Sequence, residues 1–328
     1  MKKILYFDAS SGVSGDMFVG ALIDAGADIE IIRNHIDSLG LDGFSIRARK
    51  VSKSGLMGTK FDVIDPETGR DVDAPEDNHH GHNHGHNHGH DHDHDDHGHD
   101  HGHGHDHDGH GHDHEHGHEH SHGQNLHNHG HDHGGHHDHQ KNTHKKHHRS
   151  LWDIGSIICK SGLPQPVIDD AVAVFKLIAI AESKVHGTTL EEVHFHEVGA
   201  LDCIVDIVSA ASAFHQLNVD EAWCSPIHVG SGTVRCAHGL LPVPAPATME
   251  LLHEVPIYST EVKGELATPT GAALLRHFCK GFAPMPQMIV EKVGYGAGSK
   301  DFGIPNLFRA TIGKINESSV PQITPEKQ

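Results

Sequence analysis

Lys3-Ile4-Leu5-Tyr6-Phe7-Asp8-Ala9-Ser10-Ser11-Gly12-Val13-Ser14-Gly15-Asp16-Met17-Phe18-Val19-Gly20-Ala21-Leu22 is the stretch whose reading decides the fold. Ile4 to Phe7 form an apolar run bounded by Asp8, as in a short buried strand over residues 3–8. Small residues then make a tight loop over 10–15. Residues 16–25 return apolar side chains at helical spacing, and Gly26 stops the helix. Strand, loop and helix in this order set a sheet layer against a helical one.

Working outward, residues 29–39 are a predicted helix ended by Gly40. Segments 44–51 and 60–64 alternate and are β-branched enough for strands, with 54–58 as their turn. Helices are predicted over 151–159, 166–186 and 200–216, and strands over 222–229 and 233–236 around Gly230, Ser231 and Gly232. Pro242, Pro244 and Pro246 lead into a short helix ending near His253. Thr268 is placed to cap a helix over 267–279 with Pro269 at its first position. Strands at 287–293 and 307–312 follow, with Gly294, Gly296 and Gly298, beside Lys300 and Asp301, read as a flexible loop between them. The expected class is α+β: a mixed sheet packed with helices, in two parts (1–78 and 149–313) around a long insertion (79–148), before a polar tail at 314–328. Loop length costs little entropy, so such an insertion is compatible with one fold.

The insertion, with His79 as its first residue and His148 as its last, holds 32 of the chain's 41 histidines and almost no aliphatic residue besides Leu126. It lacks the apolar surface needed to offset ordering and is expected to be disordered. Repeats such as His82, His84, His86, His88 and His90 let a flexible backbone gather several imidazoles around Ni, Cu or Zn, so the whole tract is read as metal-binding. Such a tract binds metal without choosing it, because copper outranks nickel at any nitrogen site. Protons compete below about pH 6. The other reading is a merely solvated spacer.

A formal charge of -20, with only Lys141, Lys145, Lys146 and Arg149 as a basic patch, argues against nucleic acid and anionic membrane as partners. Five cysteines without a C-x-x-C pair do not make a disulfide framework. Asp8 interrupts the only early apolar run, so no signal peptide or membrane span is expected and the expected location is cytoplasmic.

Outside the tract, alternation would put His194 and His196 on one side of an extended segment, able to chelate one ion, with Glu197 next to them. Asp202 and Asp206 lie four residues apart on the following helix, in a narrow stripe with Ser209, Ala213 and Gln216. Like charges at that spacing repel by about 0.2 to 0.5 kcal/mol, which a bound cation would remove; an ordinary solvated stripe is the alternative. Ser11, Gly12, Ser14 and Gly15 open a helix where backbone N–H groups can hold a phosphate. Asp8 and Asp16 can instead hold a divalent ion there, or the loop is a plain tight turn. Thr268 and Thr270 open a second helix in the same manner, as an anion site or as simple capping. His228, Cys236 and His238 flank a predicted hairpin and either converge on a metal or pack. There is no G-K-[ST] and no G-x-S-x-G.

Six segments, in order, resemble one family. They are F-D-A-S-S-G-V-S-G-D-M-F-V-G-A-L from Phe7, K-S-G-L-M-G-T-K-F from Lys53, H-F-H-E-V-G-A-L-D from His194, P-I-H-V-G-S-G-T-V from Pro226, A-T-P-T-G-A-A-L-L from Ala267 and V-G-Y-G-A-G from Val293. Together they are similar to the LarC family, the nickel insertion proteins of nickel-pincer nucleotide biosynthesis, which serve lactate racemase. The resemblance implies insertion of Ni(II) into pyridinium-3,5-bisthiocarboxylic acid mononucleotide, forming two sulfur–nickel bonds and one carbon–nickel bond while CTP is hydrolysed to CMP and diphosphate. That reaction needs a nickel donor, a phosphate cradle and a base for the ring proton. The tract, the loop of Ser11, Gly12, Ser14 and Gly15 with Thr268 and Thr270, and His196, Glu197 or Asp16 are the respective candidates, with His194, His196, Asp202, Asp206 and Asp8 as metal ligands.

Family members usually continue into a further domain that looks like the part handling CTP with Mg or Mn. This chain runs to Gln328, so a C-terminal-domain polypeptide or a longer form is the expected partner, beside a homo-oligomeric one. Rival readings are a nickel store or chaperone docking on a partner, and a metal-dependent hydrolase using Asp8, Asp16 and the His194 cluster.

Overall fold

The computed structural model describes residues 1–70, 149–193, 195, 201–236 and 238–316. The expected metal-binding tract, from its first histidine His79 through His82, His84, His86, His88 and His90 to its last, His148, therefore lies outside the described residues, as does the tail after residue 316.

The chain opens as foreseen, with β1 (Lys2–Asp8), α1 (Gly15–Asp24) and α2 (Ile29–Asp37), whose N-cap Asp28 accepts from Glu30 N. β2 (Ser45–Lys53) and β3 (Leu56–Ile64) form a longer hairpin than the sequence suggests. Ser54 and Gly55 both take positive φ (50° and 84°), so a two-residue turn suffices and Leu56 to Gly58 join the strand rather than the turn. Next come α3 (Leu151–Cys159), started by a capping box between Ser150 and Asp153, α4 (Gln165–His186) and α5 (Leu201–Leu217). The following stretch is broken into β4 (Glu221–Cys224), β5 (Ile227–His228), β6 (Gly230–Ser231), β7 (Thr233–Cys236) and β8 (Gly239–Pro242), and leads to α6 (Pro246–Leu251), β9 (Ile257–Tyr258) and β10 (Gly264–Glu265). α7 (Pro269–Phe278), β11 (Cys279–Phe282), β12 (Ile289–Ala297) and β13 (Leu307–Ile315) complete the fold.

Seven strands form one mixed sheet in the order β11-β4-β1-β13-β12-β3-β2, confirming the α+β class. β1 runs antiparallel to β13 and parallel to β4, which is parallel to β11. Of the glycines of V-G-Y-G-A-G, Gly298 does lie in the loop between β12 and β13, with Lys300 and Asp301, but Gly294 and Gly296 belong to β12 and point at α1. A Cβ on Gly296 would lie 1.7 Å from the Met17 carbonyl oxygen, and one on Gly294 2.3 Å from that of Ala21. Glycine at alternate strand positions thus clears a channel in which the α1 backbone lies directly on the sheet.

Phe7 of β1, Phe18 of α1 and Phe308 of β13 fill the sheet–helix interface, with ring centroids 4.8 to 5.9 Å apart. Phe278 extends this cluster to Phe214 of α5, 4.4 Å away. Aromatic contacts at these spacings contribute about 0.5 to 1.5 kcal/mol each beyond the area they bury. They fix the start of α1 above the sheet, with α5 and α7 against it.

Candidate functional site

Loop and helices meet because backbone bonds tie them. Val13 N donates to Leu266 O (2.9 Å) and Thr268 N to Val13 O (3.0 Å), lacing the first loop to the entry of α7. A Cβ on Gly271 would come within 2.4 Å of Val13 O, so the first turn of α7 sits against the loop. A Cβ on Gly15 would come within 2.3 Å of Asp206 Oδ2, so α5 rests its carboxylate on the first residue of α1. Cys203 Sγ lies 3.6 Å from Thr270 Oγ1, joining α5 to α7. Three helix N-termini therefore meet, each with the positive end of its dipole inward.

Carboxylates occupy this junction. Asp16 Oδ1 accepts from Ser14 Oγ and from Met17 N (2.9 Å), and its Oδ2 accepts from Lys60 Nζ at 2.5 Å. Lys60, on β3, is buried and also donates to Phe61 O (2.8 Å), with Asp62 Oδ1 3.6 Å away. Burial alone would push the Lys60 ammonium down, but the charge and hydrogen bond of Asp16, then Asp62 and Asp206, outweigh it and hold the pKa above the ordinary lysine value. Asp62 is shared with Arg49 Nε (2.8 Å) and Arg47 (3.3 Å); burial would raise it, but these partners and Lys60 keep it below the ordinary carboxylate value.

The Asp206, Ser209 and Ala213 stripe is buried, not solvated. The Lys60 ammonium, paired with Asp16, also feels the charge of Asp206 from across the junction. Asp16, one of the candidate bases, has both oxygens engaged as an anchor for Lys60 and the loop. Asp8 does not join it: its carboxylate pairs with Arg309 and accepts from Ser10 N (3.1 Å), so the suggested Asp8–Asp16 divalent site becomes two separate ion pairs.

Part of the first loop's donor set is used inside the protein. Ser10 N, Gly12 N, Val13 N, Met17 N and Phe18 N are bonded within the protein, and Ser11 Oγ donates to Pro305 O at 2.8 Å. Ser14 Oγ donates to Asp16, and Gly15 lies against Asp206. Thr268 caps Gly271 N (3.2 Å), the capping reading of that motif. His194, His196 and Glu197 lie outside the described residues. Asp202 opens the first turn of α5 beside this junction.

His228, Cys236 and His238 do not converge. Buried His228 donates from Nδ1 to Ser10 O and shares a hydrogen bond between Nε2 and Thr260 Oγ1 (3.0 Å each), stacked on Tyr258. An imidazole with both nitrogens satisfied is a packing residue that pins the first loop. Cys236 and His238 instead line a cavity of about 380 Å³ with Glu182, His186, Arg235 and Lys300, bordered by Pro269 at the start of α7. Among the described residues no three ligand-type side chains are already gathered about one point. Neither Lys60 nor His186 stands out in the linear sequence. The available signal for Lys60 was the opposite-sign pair Lys60 and Asp62 at strand spacing, alternating with buried Phe61 and Val63.

A profile of the family described as nickel insertion protein matches residues 5–326. Curated relatives named pyridinium-3,5-bisthiocarboxylic acid mononucleotide nickel insertion protein include one from Desulfitobacterium hafniense (strain DSM 10664 / DCB-2), 39% identical over 98% of this chain and 60% of its own length. One from Geobacillus kaustophilus is 37% identical over 99% of this chain and 64% of its own. A third, from Acetivibrio thermocellus, is 36% identical over 96% and 61%. The chain thus spans about three fifths of the length of these relatives. No solved structure matches. No helix among the described residues is long and apolar enough to cross a membrane.

Proposed function

We propose that this chain, which belongs to the nickel insertion protein family, serves the insertion of Ni(II) into pyridinium-3,5-bisthiocarboxylic acid mononucleotide, giving the nickel-pincer nucleotide used by lactate racemase. The observation that carries the reading is the meeting of the α1, α5 and α7 N-termini around Lys60, beside a cavity lined with imidazole and cationic side chains. Nickel is the substrate metal, and the His-rich tract that begins at His79 and ends at His148 is its reservoir.

The cluster and the cavity divide the work. Asp16, Asp206 and Lys60 hold the starts of α1 and α5 against β3, so their task is positioning. Arg235 and Lys300 are the cations that meet the substrate phosphate. Replacing the ring hydrogen by nickel requires a base, and His196 or Glu197 is our choice. Four residues of chain join Glu197 to Leu201, a reach of at most about 14 Å from the α5 N-terminus. CTP, with Mg or Mn, acts through the C-terminal part that the longer relatives carry, supplied by a longer form or a second polypeptide.

The test is nickel incorporation into the bisthiocarboxylate mononucleotide, followed by mass spectrometry, with CTP and with or without a separately supplied C-terminal part. Product is expected when both polypeptides are present. Absence of product in both arms overturns the insertion reading.

A further inference from the structure

α3 has more surface than its own fold uses. Ile154 and Ile158 are fully buried in the core. Trp152, Gly155, Ser156 and Cys159, at i, i+3, i+4 and i+7, make a second face of the same helix. All four line an apolar cavity of about 850 Å³ between α3 and α4, whose α4 wall carries Val172 and Phe175. This cavity shares no residue with the one beside α7.

Within the described residues, two features of this face go unused. Trp152 is 82% exposed, more than any other large apolar side chain described. Gly155 lies mid-helix, where glycine is a poor helix former, yet a Cβ there would meet nothing within 4 Å. Gly15, Gly294 and Gly296 admit neighbours from the same chain; Gly155 leaves room for a neighbour from outside it.

Knob and hole thus lie on one helix, three residues apart, which is what an isologous contact requires. Across a two-fold axis the same patch meets itself, so the indole of each copy can enter the space over the other copy's glycine. Charge agrees with shape. The cavity rim carries Lys160 and Lys176 and also Glu191, so a second copy offers each sign its opposite, where a rim of one sign would repel its own image. An apolar centre with an aromatic anchor and a polar rim is the composition of a protein–protein contact.

We infer that this face is a homodimer interface, in which α3 packs on α3 of a second copy and Trp152 of each enters the other's cavity over Gly155. Association requires neither metal nor substrate, and it does not rest on the insertion reading.

Trp152 reports on the contact directly, because the chain's other tryptophan, Trp223, is 1% exposed. Full-chain protein is freed of metal with a chelator, so that the His-rich tract cannot bridge copies. It is then followed by sedimentation equilibrium and tryptophan emission from nanomolar to high micromolar concentration. A dimer is expected, with emission moving to the blue as it forms. Trp152→Ala should weaken association about thirty-fold or more, as loss of a central aromatic anchor does. Gly155→Leu fills the space the indole would take, with a good helix former, and should weaken it too. Both monomers should remain folded, since Trp152 is exposed and a side chain at 155 has open space, and thermal unfolding checks this. A monomer at every concentration overturns the proposal, as does a dimer that neither substitution weakens, which would place the contact on another face. If the chain stays monomeric while a separately supplied C-terminal part of the longer relatives shifts the Trp152 emission, the cavity belongs to that polypeptide and the second-copy assignment falls.

Discussion

Around Lys60 the polar groups are closed in; around His186 and His238 they face an open cavity. Lys60 is buried and answers Asp16, Asp62 and Asp206, contributed by α1, β3 and α5, and glycine at position 15 lets the Asp206 carboxylate touch the helix backbone. In the cavity, cationic, imidazole and thiol side chains face a space of about 380 Å³ that reaches solvent. Both border the first turn of α7, so the contrast does not come from position in the fold. It comes from burial. A buried charge network tolerates no missing member, whereas a set of partly exposed side chains can lose one and remain folded.

The sharpest way to break that contrast is Lys60→Met. It removes the cation and leaves Asp16 and Asp206 close together without it, which we expect to cost about 3 to 5 kcal/mol of unfolding free energy. Urea unfolding followed by circular dichroism measures this, and adding Asp206→Asn should return part of the loss. A cost below about 1 kcal/mol would show that the cluster is not a closed network. The pH dependence has a definite sign. Because folding raises the Lys60 pKa above its ordinary value of 10.5, its stabilisation is complete below that value and is lost as pH rises through the folded one.

Gly15→Ala tests the same cluster sterically. The new methyl would lie 2.3 Å from Asp206 Oδ2 and 2.9 Å from its Cβ, so α5 must move or the carboxylate must turn away. Strain of this kind costs about 1 to 3 kcal/mol. Thermal unfolding read beside Gly155→Ala, where a Cβ meets nothing within 4 Å, isolates the steric part.

The same division explains how much was legible in the sequence. The strand–loop–helix opening, the α+β class and the Thr268 cap follow from local periodicity and capping chemistry, and the structure has them. The roles of Gly294 and Gly296 were misread, because glycine admitting a helix to a strand looks locally like glycine in a loop. Residue pairings across the fold were not legible at all. That Asp206 answers Lys60, that Asp8 answers Arg309 and that His238 meets His186 depends on contacts more than 50 residues apart in sequence. A stripe of like charges reports that a counter-charge is needed, but not whether a metal or a lysine supplies it.

The smallest expected effect completes the comparison. His238→Ala removes an exposed ring that lies against the partly exposed His186, so unfolding free energy should change by no more than about 0.5 kcal/mol. Were the cavity a second closed network, the substitution would instead cost an amount comparable to Lys60→Met. Equilibrium unfolding in urea distinguishes the two: a ring at the rim of an open cavity gives up little buried contact when it is removed, whereas Lys60, whose partners are charged groups in the interior, takes their compensation with it.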